Sequence, residues 1–277
     1  MKNRCKIAFH ICWYQMQLHH RTGKTVLILL LLFLYIREMV TPLNTFSVIV
    51  QEPVTPWIFS VLVNDNIFPF VITVLYLIWI CDAPFINDMH LYLVTRCGEK
   101  SWISGEIIFL CVSSWEYTLA CYGMTVLSSV TRIRYENRWG KVLGTLTYTG
   151  AEAQYPMRFN LHTGIMERFA PKEALIYTCL MMWAVLWAMG LCVFLLNWLS
   201  GSVLGTVIAF LFSVLDITIT NLLSAYWYHI SPVSMMRMSI VTGLYHPSFR
   251  YCVLFVIIML FVLAASLIVT AHRRKGV

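Results

Sequence analysis

The chain has 277 residues, of which 59% are apolar and 12% are charged. Soluble domains are about half apolar and about a quarter charged, so this composition excludes an ordinary soluble enzyme or binding domain. The formal net charge is +7. Because the Lys and Arg residues lie beside apolar runs, where they contact lipid headgroups and set orientation, this charge does not indicate nucleic-acid binding.

The first 24 residues form a basic segment with a helical apolar face. Ile7, Ile11, Tyr14 and Leu18 recur at helical spacing, and the segment carries five basic residues and no acidic one. This pattern predicts an amphipathic helix in the cytoplasmic headgroup layer, with a frayed basic tail as the alternative. No cleavable signal-peptide pattern is present, so we expect the segment to stay with the protein.

Six nearly uncharged runs are long enough to be read as transmembrane helices. The predicted spans are residues 25–43, 66–81, 105–129, 174–198, 202–226 and 249–270. They form a six-helix transmembrane domain of residues 25–271, which a basic tail at 272–277 follows. The sequence therefore predicts an all-α polytopic membrane protein, and basic residues at both ends favour a cytoplasmic location for both termini.

Four connecting segments have predicted structures of their own. Residues 44–65 contain two prolines and suit an extracellular loop with an interfacial piece, whereas residues 82–104 suit a cytoplasmic connection with one short helix. The run 230–244 is apolar but broken by Pro232, which favours an interfacial or re-entrant helix before the last span. Residues 131–172 form a long outer loop.

That outer loop is basic, which disagrees with a location outside the cell. Residues 131–172 carry seven Lys or Arg residues against three Glu residues. Long loops follow the positive-inside rule less faithfully than short ones, so six spans remain the leading prediction. A missed or broken span is the alternative.

Arg37 and Glu38 fall in the last third of the first predicted span. One adjacent pair near the interface costs much less than a charge at the midplane. We expect the two side chains to snorkel toward the headgroups and to pair locally, with a function in an outer gate as the alternative.

Glu116 and Asp216 lie near the middle of the third and fifth predicted spans. A charged carboxylate that faces lipid there costs roughly 2.5 to 3.5 kcal/mol, so we expect both to face protein or water. Because no Lys or Arg is predicted at matching depth, protonation or hydrogen bonding to Ser113, Ser213 or Thr220 is expected. Helix-to-helix hydrogen bonding, a transport pathway that also includes Asn221, and ion coupling are the three alternatives.

The sequence contains no complete motif of a phosphate-binding loop, a zinc protease or a cysteine-based metal site. Gly23-Lys24-Thr25 resembles the end of a phosphate-binding loop, but position 18 is Leu where the first glycine belongs. No His-Glu-x-x-His motif is present, and the nine cysteines lack paired spacing, which favours buried thiols. We therefore expect no catalytic residue, metal site or cofactor in this chain.

Several short motifs carry a family resemblance. They are residues 82–85 (Asp-Ala-Pro-Phe) with Arg96 and Trp102, and residues 139–141, 171–175 and 230–234. Together with the predicted layout, they resemble the permeases of type-2 ATP-binding-cassette (ABC) transporters, the membrane subunits of bacterial ABC exporters. Those permeases have six spans, an amino-terminal elbow helix, a cytoplasmic coupling helix and short membrane-dipping helices before the last span.

The resemblance implies a membrane subunit that a separate ATPase drives. That cytoplasmic ATPase would hold the ATP and Mg²⁺ and would dock on a coupling helix at residues 84–94. The residues implied in ATPase coupling are Asp82, Phe85, His90, Arg96 and Trp102. A second permease copy or a related permease, a location in the bacterial cytoplasmic membrane, and export of a peptide, lipid-linked or other amphiphilic compound are implied as well.

The sequence also allows two other classes of membrane protein. An ion-coupled secondary carrier would use Glu116 and Asp216, although paired half-repeats are not visible in the sequence. A non-transporting membrane scaffold or signalling subunit is the other alternative. A co-purifying ATPase favours the permease, whereas proton-driven flux through the isolated chain favours the carrier.

Overall fold

The computed structural model describes residues 2–86, 90–149, 151, 154–242 and 245–273, with the backbone alone at 2–4, 90, 242 and 273. The described part is helical and contains no β-strand. One isolated bridge pairs Val54 with Ile133.

The described part of the chain contains eleven α-helices. In chain order they are α1 (Lys2–His20), α2 (Gly23–Val50), α3 (Ile58–Leu62), α4 (Phe68–Trp79), α5 (His90–Cys97), α6 (Glu99–Ser128), α7 (Lys141–Tyr148), α8 (Thr163–Arg168), α9 (Pro171–Ser200), α10 (Leu204–Leu222) and α11 (Phe249–Arg273). Three 3₁₀ helices lie between α10 and α11, at Ala225–His229, Ser234–Met236 and Met238–Thr242.

Five helices of the described chain are long and apolar enough to cross a membrane: α2, α6, α9, α10 and α11. The chain is therefore a multi-pass helical membrane protein, which confirms the predicted class at this level. The helix at the predicted second span, α4, has 12 residues. At 1.5 Å per residue it is about 18 Å long, which is shorter than a hydrocarbon core of about 30 Å.

The five candidate membrane helices and the shorter α4 alternate in direction along the chain. Trp102 at the start of α6 packs against Trp198 at the end of α9, with ring centroids 6.2 Å apart. Asn44 in α2 donates a hydrogen bond to the carbonyl of Ser128, at the end of α6. We call the end with the start of α2 the amino-terminal end, and the end with residues 51–67, 129–170 and 223–248 the loop end.

The first predicted span differs most from the structure. Instead of ending near residue 43, α2 continues through Pro42 to Val50. A proline inside a helix removes one backbone hydrogen bond, but burial of Leu43 and Phe46 favours the continued helix. The predicted extracellular loop at 44–65 is therefore partly helical, and every residue of α3 is buried.

The long loop at 131–172 is a folded cap on the loop end. Its helix α7 buries Val142, Leu143 and Leu146 in the core. The backbone N–H of Val54 donates to Arg132, and that of Arg134 donates to Val54, each at 2.9 Å. These contacts fix the loop to the segment that follows α2.

The predicted interfacial or re-entrant helix at 230–244 is not one continuous helix. Its described part forms two of the 3₁₀ helices, and residues 243 and 244 lie outside the described residues. Ser231 and Val233 to Met236 are buried. The segment therefore enters the bundle at the loop end, and Pro232 accounts for the break because it cannot continue a helix.

The amino-terminal helix α1 packs along the first half of α6, in the same direction. Ile11 lies against Gly105, where an added Cβ would be 2.7 Å from the Ile11 side chain. Phe9 and Trp13 point away from the bundle, with 64% and 65% exposure. The close contact requires glycine at position 105. It places Ile11, a residue of the predicted apolar face, against α6, while Phe9 and Trp13 form a separate apolar outer face of α1.

Candidate functional site

A buried ion pair lies at the loop end of the bundle. Nη2 of Arg237 is 2.6 Å from Oδ1 of Asp216, and the side chains are 2% and 0% exposed. Among the ion pairs in the described part of the chain, only this one has two buried side chains. Such a pair is costly to break, because either partner alone would be an uncompensated charge away from water.

The pair belongs to a larger polar network. The Arg237 guanidinium also donates to Thr220 in α10 and to Asn66 before α4, at 3.1 and 3.2 Å. It lies 5.4 Å from the ring centre of Tyr228. The hydroxyl of Ser234 donates to the same Asp216 oxygen. The network therefore joins α10, the start of α4 and the segment 225–242.

Two neighbouring polar residues tie further loop-end segments to this network. Oδ1 of Asn64 accepts a hydrogen bond from the backbone of Ser239 at 2.6 Å. Asp65 accepts two backbone N–H groups at the start of α4 and, at 3.0 Å, the N–H of Asn160 from the cap. A carboxylate suits a helix start because free N–H groups and the helix dipole converge there.

Asp216 has a partner that the sequence did not predict. The sequence predicts no Lys or Arg at its depth, but in the structure Arg237 enters the bundle on the 3₁₀ segment. The Thr220 hydroxyl donates to the Asp216 backbone, and Ser213 donates to Ala209. Asn221 is exposed and donates to the carbonyl of Ile217 in its own helix, so it takes no part in the network.

The two candidate outer-gate residues do not pair with each other. Both Arg37 and Glu38 are exposed on α2. Glu38 forms an ion pair with Arg158 of the cap instead. The expected local pairing is therefore replaced by a contact between α2 and the cap.

A second polar site lies at the amino-terminal end, around the turn after α4. Asp82 forms an ion pair with Lys24 at the start of α2. The carbonyl of Ala83 accepts a hydrogen bond from Asn197 in α9 at 2.8 Å, and Oδ1 of Asn197 accepts the N–H of Gly205 at 2.7 Å. These contacts join the turn to the hairpin between α9 and α10.

Phe85 and Arg96, two of the predicted coupling residues, occupy different surroundings. The Phe85 ring packs edge-on against Phe109, 5.0 Å away, and is partly buried. Arg96 is exposed on α5 and lies over Tyr92. Beside Phe85, Ile86 is 62% exposed and is the more accessible apolar side chain.

Trp102 and His90 complete the predicted coupling set. Trp102 is 1% exposed and packs beside Phe194 and Trp198, so it is a core residue and not part of a surface. The predicted helix at 84–94 is α5 at His90–Cys97, while the His90 side chain and residues 87–89 lie outside the described residues.

The contact between α1 and α6 contains polar residues that sequence reasoning missed. Gln15 donates to Oε1 of Glu106 at 2.7 Å, and Glu106 is fully buried. Nε2 of His20 lies 3.1 Å from Glu116, so this carboxylate pairs with α1 rather than with Ser113. The one signal in the sequence was a polar Gln15 beside the apolar positions of α1.

His19 lies where α1, α4 and α6 meet. Its ring is buried and lies 4.6 Å from the ring of Trp79. Burial, together with the nearby Lys24 charge, lowers the pKa of His19 to about 4. The imidazole is therefore neutral at pH 7, and it lines a cleft of about 150 Å³ together with Asp82 and Phe85.

Within the described residues, no group of three or more His, Cys, Asp or Glu side chains is placed to hold a metal ion. Three ion pairs join separate segments: Glu116 with His20, Asp82 with Lys24, and Asp216 with Arg237.

Comparisons with known proteins give one weak similarity. No family model matches the chain, and no solved structure matches it significantly. The chain is 22% identical over 147 residues to an uncharacterized protein, BH0177, of Halalkalibacterium halodurans. The match covers 52% of this chain and 50% of that protein, so the chain spans about half the length of the relative it matches.

Proposed function

We propose that this chain is the permease subunit of a type-2 ABC exporter in a bacterial cytoplasmic membrane. A separate cytoplasmic ATPase, which holds the ATP and Mg²⁺, would dock at the amino-terminal end. The multi-pass helical fold and the segment that enters the bundle before α11 support this proposal. The sequence motifs around the turn after α4 support it as well.

One observation carries the proposal: polar contacts link the two ends of the bundle through α10. The turn at Ala83 is bonded to Asn197, and Asn197 is bonded to Gly205 at the start of α10. Eleven residues further along α10, at about 16 Å, Asp216 holds Arg237. A displacement of the turn would therefore be carried by a rigid helix to the segment 225–242.

The hairpin contact is tight enough to transmit such a displacement. A Cβ at Gly205 would lie 2.7 Å from the Val193 carbonyl and 2.9 Å from the Asn197 side chain. The backbone of α10 at Gly205 therefore lies directly against α9 and leaves no room for a side chain at this position. Small residues at helix contacts are what allow this close approach in membrane proteins.

The proposed ATPase contact is the exposed surface around the turn and α5. Ile86, Leu91 and Arg96 are exposed there and offer apolar groups beside one cation. Asp82 would orient the turn through Lys24 rather than touch the ATPase. Trp102 would support the surface from within the core, behind α5.

The remaining parts of the proposal come from the resemblance. They are a second copy of this chain or a related permease, and an amphiphilic substrate such as a peptide or a lipid-linked compound. The secondary-carrier alternative has less support, because Glu116 and Asp216 pair with His20 and Arg237 at separate places.

The proposal is tested by purifying the tagged full-length chain from its native membrane in mild detergent. We expect an ATPase to co-purify and ATP hydrolysis to be lost when that ATPase carries an inactivating substitution. Proton-driven solute flux in liposomes that contain this chain alone would instead establish the carrier. Recovery without any ATP-hydrolysing partner, and without flux, would favour the scaffold.

A further inference from the structure

An apolar groove lies at the amino-terminal end, between α1, α6 and α11. It has a volume of about 340 Å³. Its walls are largely apolar and are formed by Cys5, Ala8, Phe9, Ile103, Ile108, Ile268 and Ala271. Known ligand pockets have volumes of about 300 to 1,000 Å³, so the groove is large enough for a ligand.

One edge of the groove is polar. Lys100, Ser101 and Ser104 lie there, at the start of α6. The Ser104 hydroxyl donates to the Lys100 carbonyl at 2.8 Å. Lys100 takes part in no ion pair among the described residues, although its neighbour in the chain, Glu99, is acidic. A cation therefore stands at the edge of an apolar groove.

The position of the groove matches the level of the lipid headgroups. Ala271 belongs to the last turn of α11, which is apolar enough to cross a membrane, and Lys100 lies at the first turn of α6. Long basic side chains at such helix ends place their charge among the headgroups. Ile268 is 52% exposed, so the apolar part of the groove opens toward the surface of the helix bundle.

We propose that this groove binds an anionic glycerophospholipid of the adjacent leaflet. One acyl chain lies along the apolar walls formed by α1, α6 and α11, and the phosphate group lies near Lys100. The bound lipid fills the space between α1 and α11 and so holds α1 against the bundle. This proposal stands on the groove alone and does not depend on an ATPase partner.

The acyl-chain contact is tested by Ile268→Trp, with Val269→Trp as the matched control. Both positions are 52% exposed on α11, but only Ile268 lines the groove. Native mass spectrometry of the full chain in detergent measures the retained phosphatidylglycerol. We expect about tenfold weaker retention for I268W and wild-type retention for V269W, because the indole displaces several methylene groups.

The headgroup contact is tested by Lys100→Gln, with Arg96→Gln as the control outside the groove. We expect K100Q to weaken phosphatidylglycerol retention about fivefold while phosphatidylcholine retention stays unchanged. Millimolar inorganic phosphate should not displace the lipid, because a free anion cannot replace the acyl chain. Displacement by phosphate would show an anion site and overturn the proposal.

Two further results would also overturn it. Retention of phosphatidylglycerol at wild-type strength by both I268W and K100Q would show that the groove holds no lipid. A change in oligomeric state in I268W, with lipid retention unaltered, would show that a second copy of the chain covers the groove.

Discussion

Arg237 and Asp216 are 21 positions apart in the chain, and their charged groups meet inside the bundle at 2.6 Å. Asp216 belongs to α10, whereas Arg237 lies in the loop between two 3₁₀ helices. The ion pair therefore fixes an irregular backbone segment against a membrane helix. Irregular backbone at membrane depth is tolerated where protein surrounds it and satisfies its polar groups.

The first prediction concerns this buried pair. Arg237→Met should lower the free energy of unfolding by about 3 to 5 kcal/mol, because it leaves the Asp216 carboxylate buried without its cation. The double variant Asp216→Asn, Arg237→Met should recover most of that loss. Denaturant titration of the detergent-solubilised chain measures both values.

An exposed pair supplies the control for that experiment. Arg158 pairs with Glu38, and their side chains are 54% and 57% exposed. Arg158→Met should therefore change the free energy of unfolding by less than about 1 kcal/mol. Equal losses for R237M and R158M would contradict the assignment of a buried pair.

The second prediction concerns the hydrogen bond between α1 and α6. Gln15→Leu removes the donor to the buried Glu106 and should weaken the docking of α1 by about 1 to 3 kcal/mol. Gln17→Leu is the matched control, since Gln17 is exposed on the same helix. Maleimide labelling of the buried Cys12, relative to the exposed Cys5 of α1, measures docking. An unchanged labelling ratio in Q15L would contradict the contact.

The third prediction uses two glycines of α6. Gly105→Ala should force α1 away from α6, since the new Cβ would be 2.7 Å from Ile11, and overpacking costs typically about 1 to 3 kcal/mol. Gly123 has no atom within 4 Å of an added Cβ, so Gly123→Ala should be tolerated. Cys12 labelling should rise only in G105A. The same rise in G123A would point to a general effect of the methyl group on α6.

The fourth prediction concerns pH. Burial lowers the pKa of His19 to about 4, from an ordinary value near 6.5. Between these values the undocked helix binds a proton that the docked helix excludes, so stability rises with pH in this range. The stability that neutral His19 gives to the docked helix is fully present above pH 6.5 and is lost as pH falls toward 4. The loss is at most about 3 kcal/mol.

Cys12 labelling follows this transition as well. Its ratio to Cys5 labelling should rise between pH 6.5 and pH 4 in the wild type. His19→Gln cannot titrate, so its ratio should change much less over the same range. A wild-type ratio that stays constant down to pH 4 would show that α1 remains docked with a protonated His19.

Hydrophobic runs were enough to predict the helical membrane class and the positions of α6, α9 and α11. A long apolar run is what allows a helix to cross a bilayer, and such a run is a local feature of the sequence. These helices can therefore be predicted without knowledge of their tertiary contacts. The end of α2 was not visible in this way. Its continuation past Pro42 depends on the burial of Phe46, which is a tertiary contact.

The candidate sites show the same division between local and long-range information. Asp216 was recognised because a carboxylate in an apolar run is costly and therefore needs an explanation. Its partner Arg237 was not recognised, because interruptions such as Pro232 favoured an interfacial location for residues 230–244. Gln15 and Glu106 were missed because 91 residues separate them, and no local pattern indicates that α1 packs along α6.

The proposed function requires that a separate ATPase drives this chain through its amino-terminal end. Photocrosslinking from position 86 in native membranes tests it most directly, with position 137 at the loop end as the control, since Ile86 and Asn137 are both exposed. We expect a crosslink from position 86 to an ATPase and none from position 137. An ATPase crosslinked only from position 137, or none from either position, would contradict it.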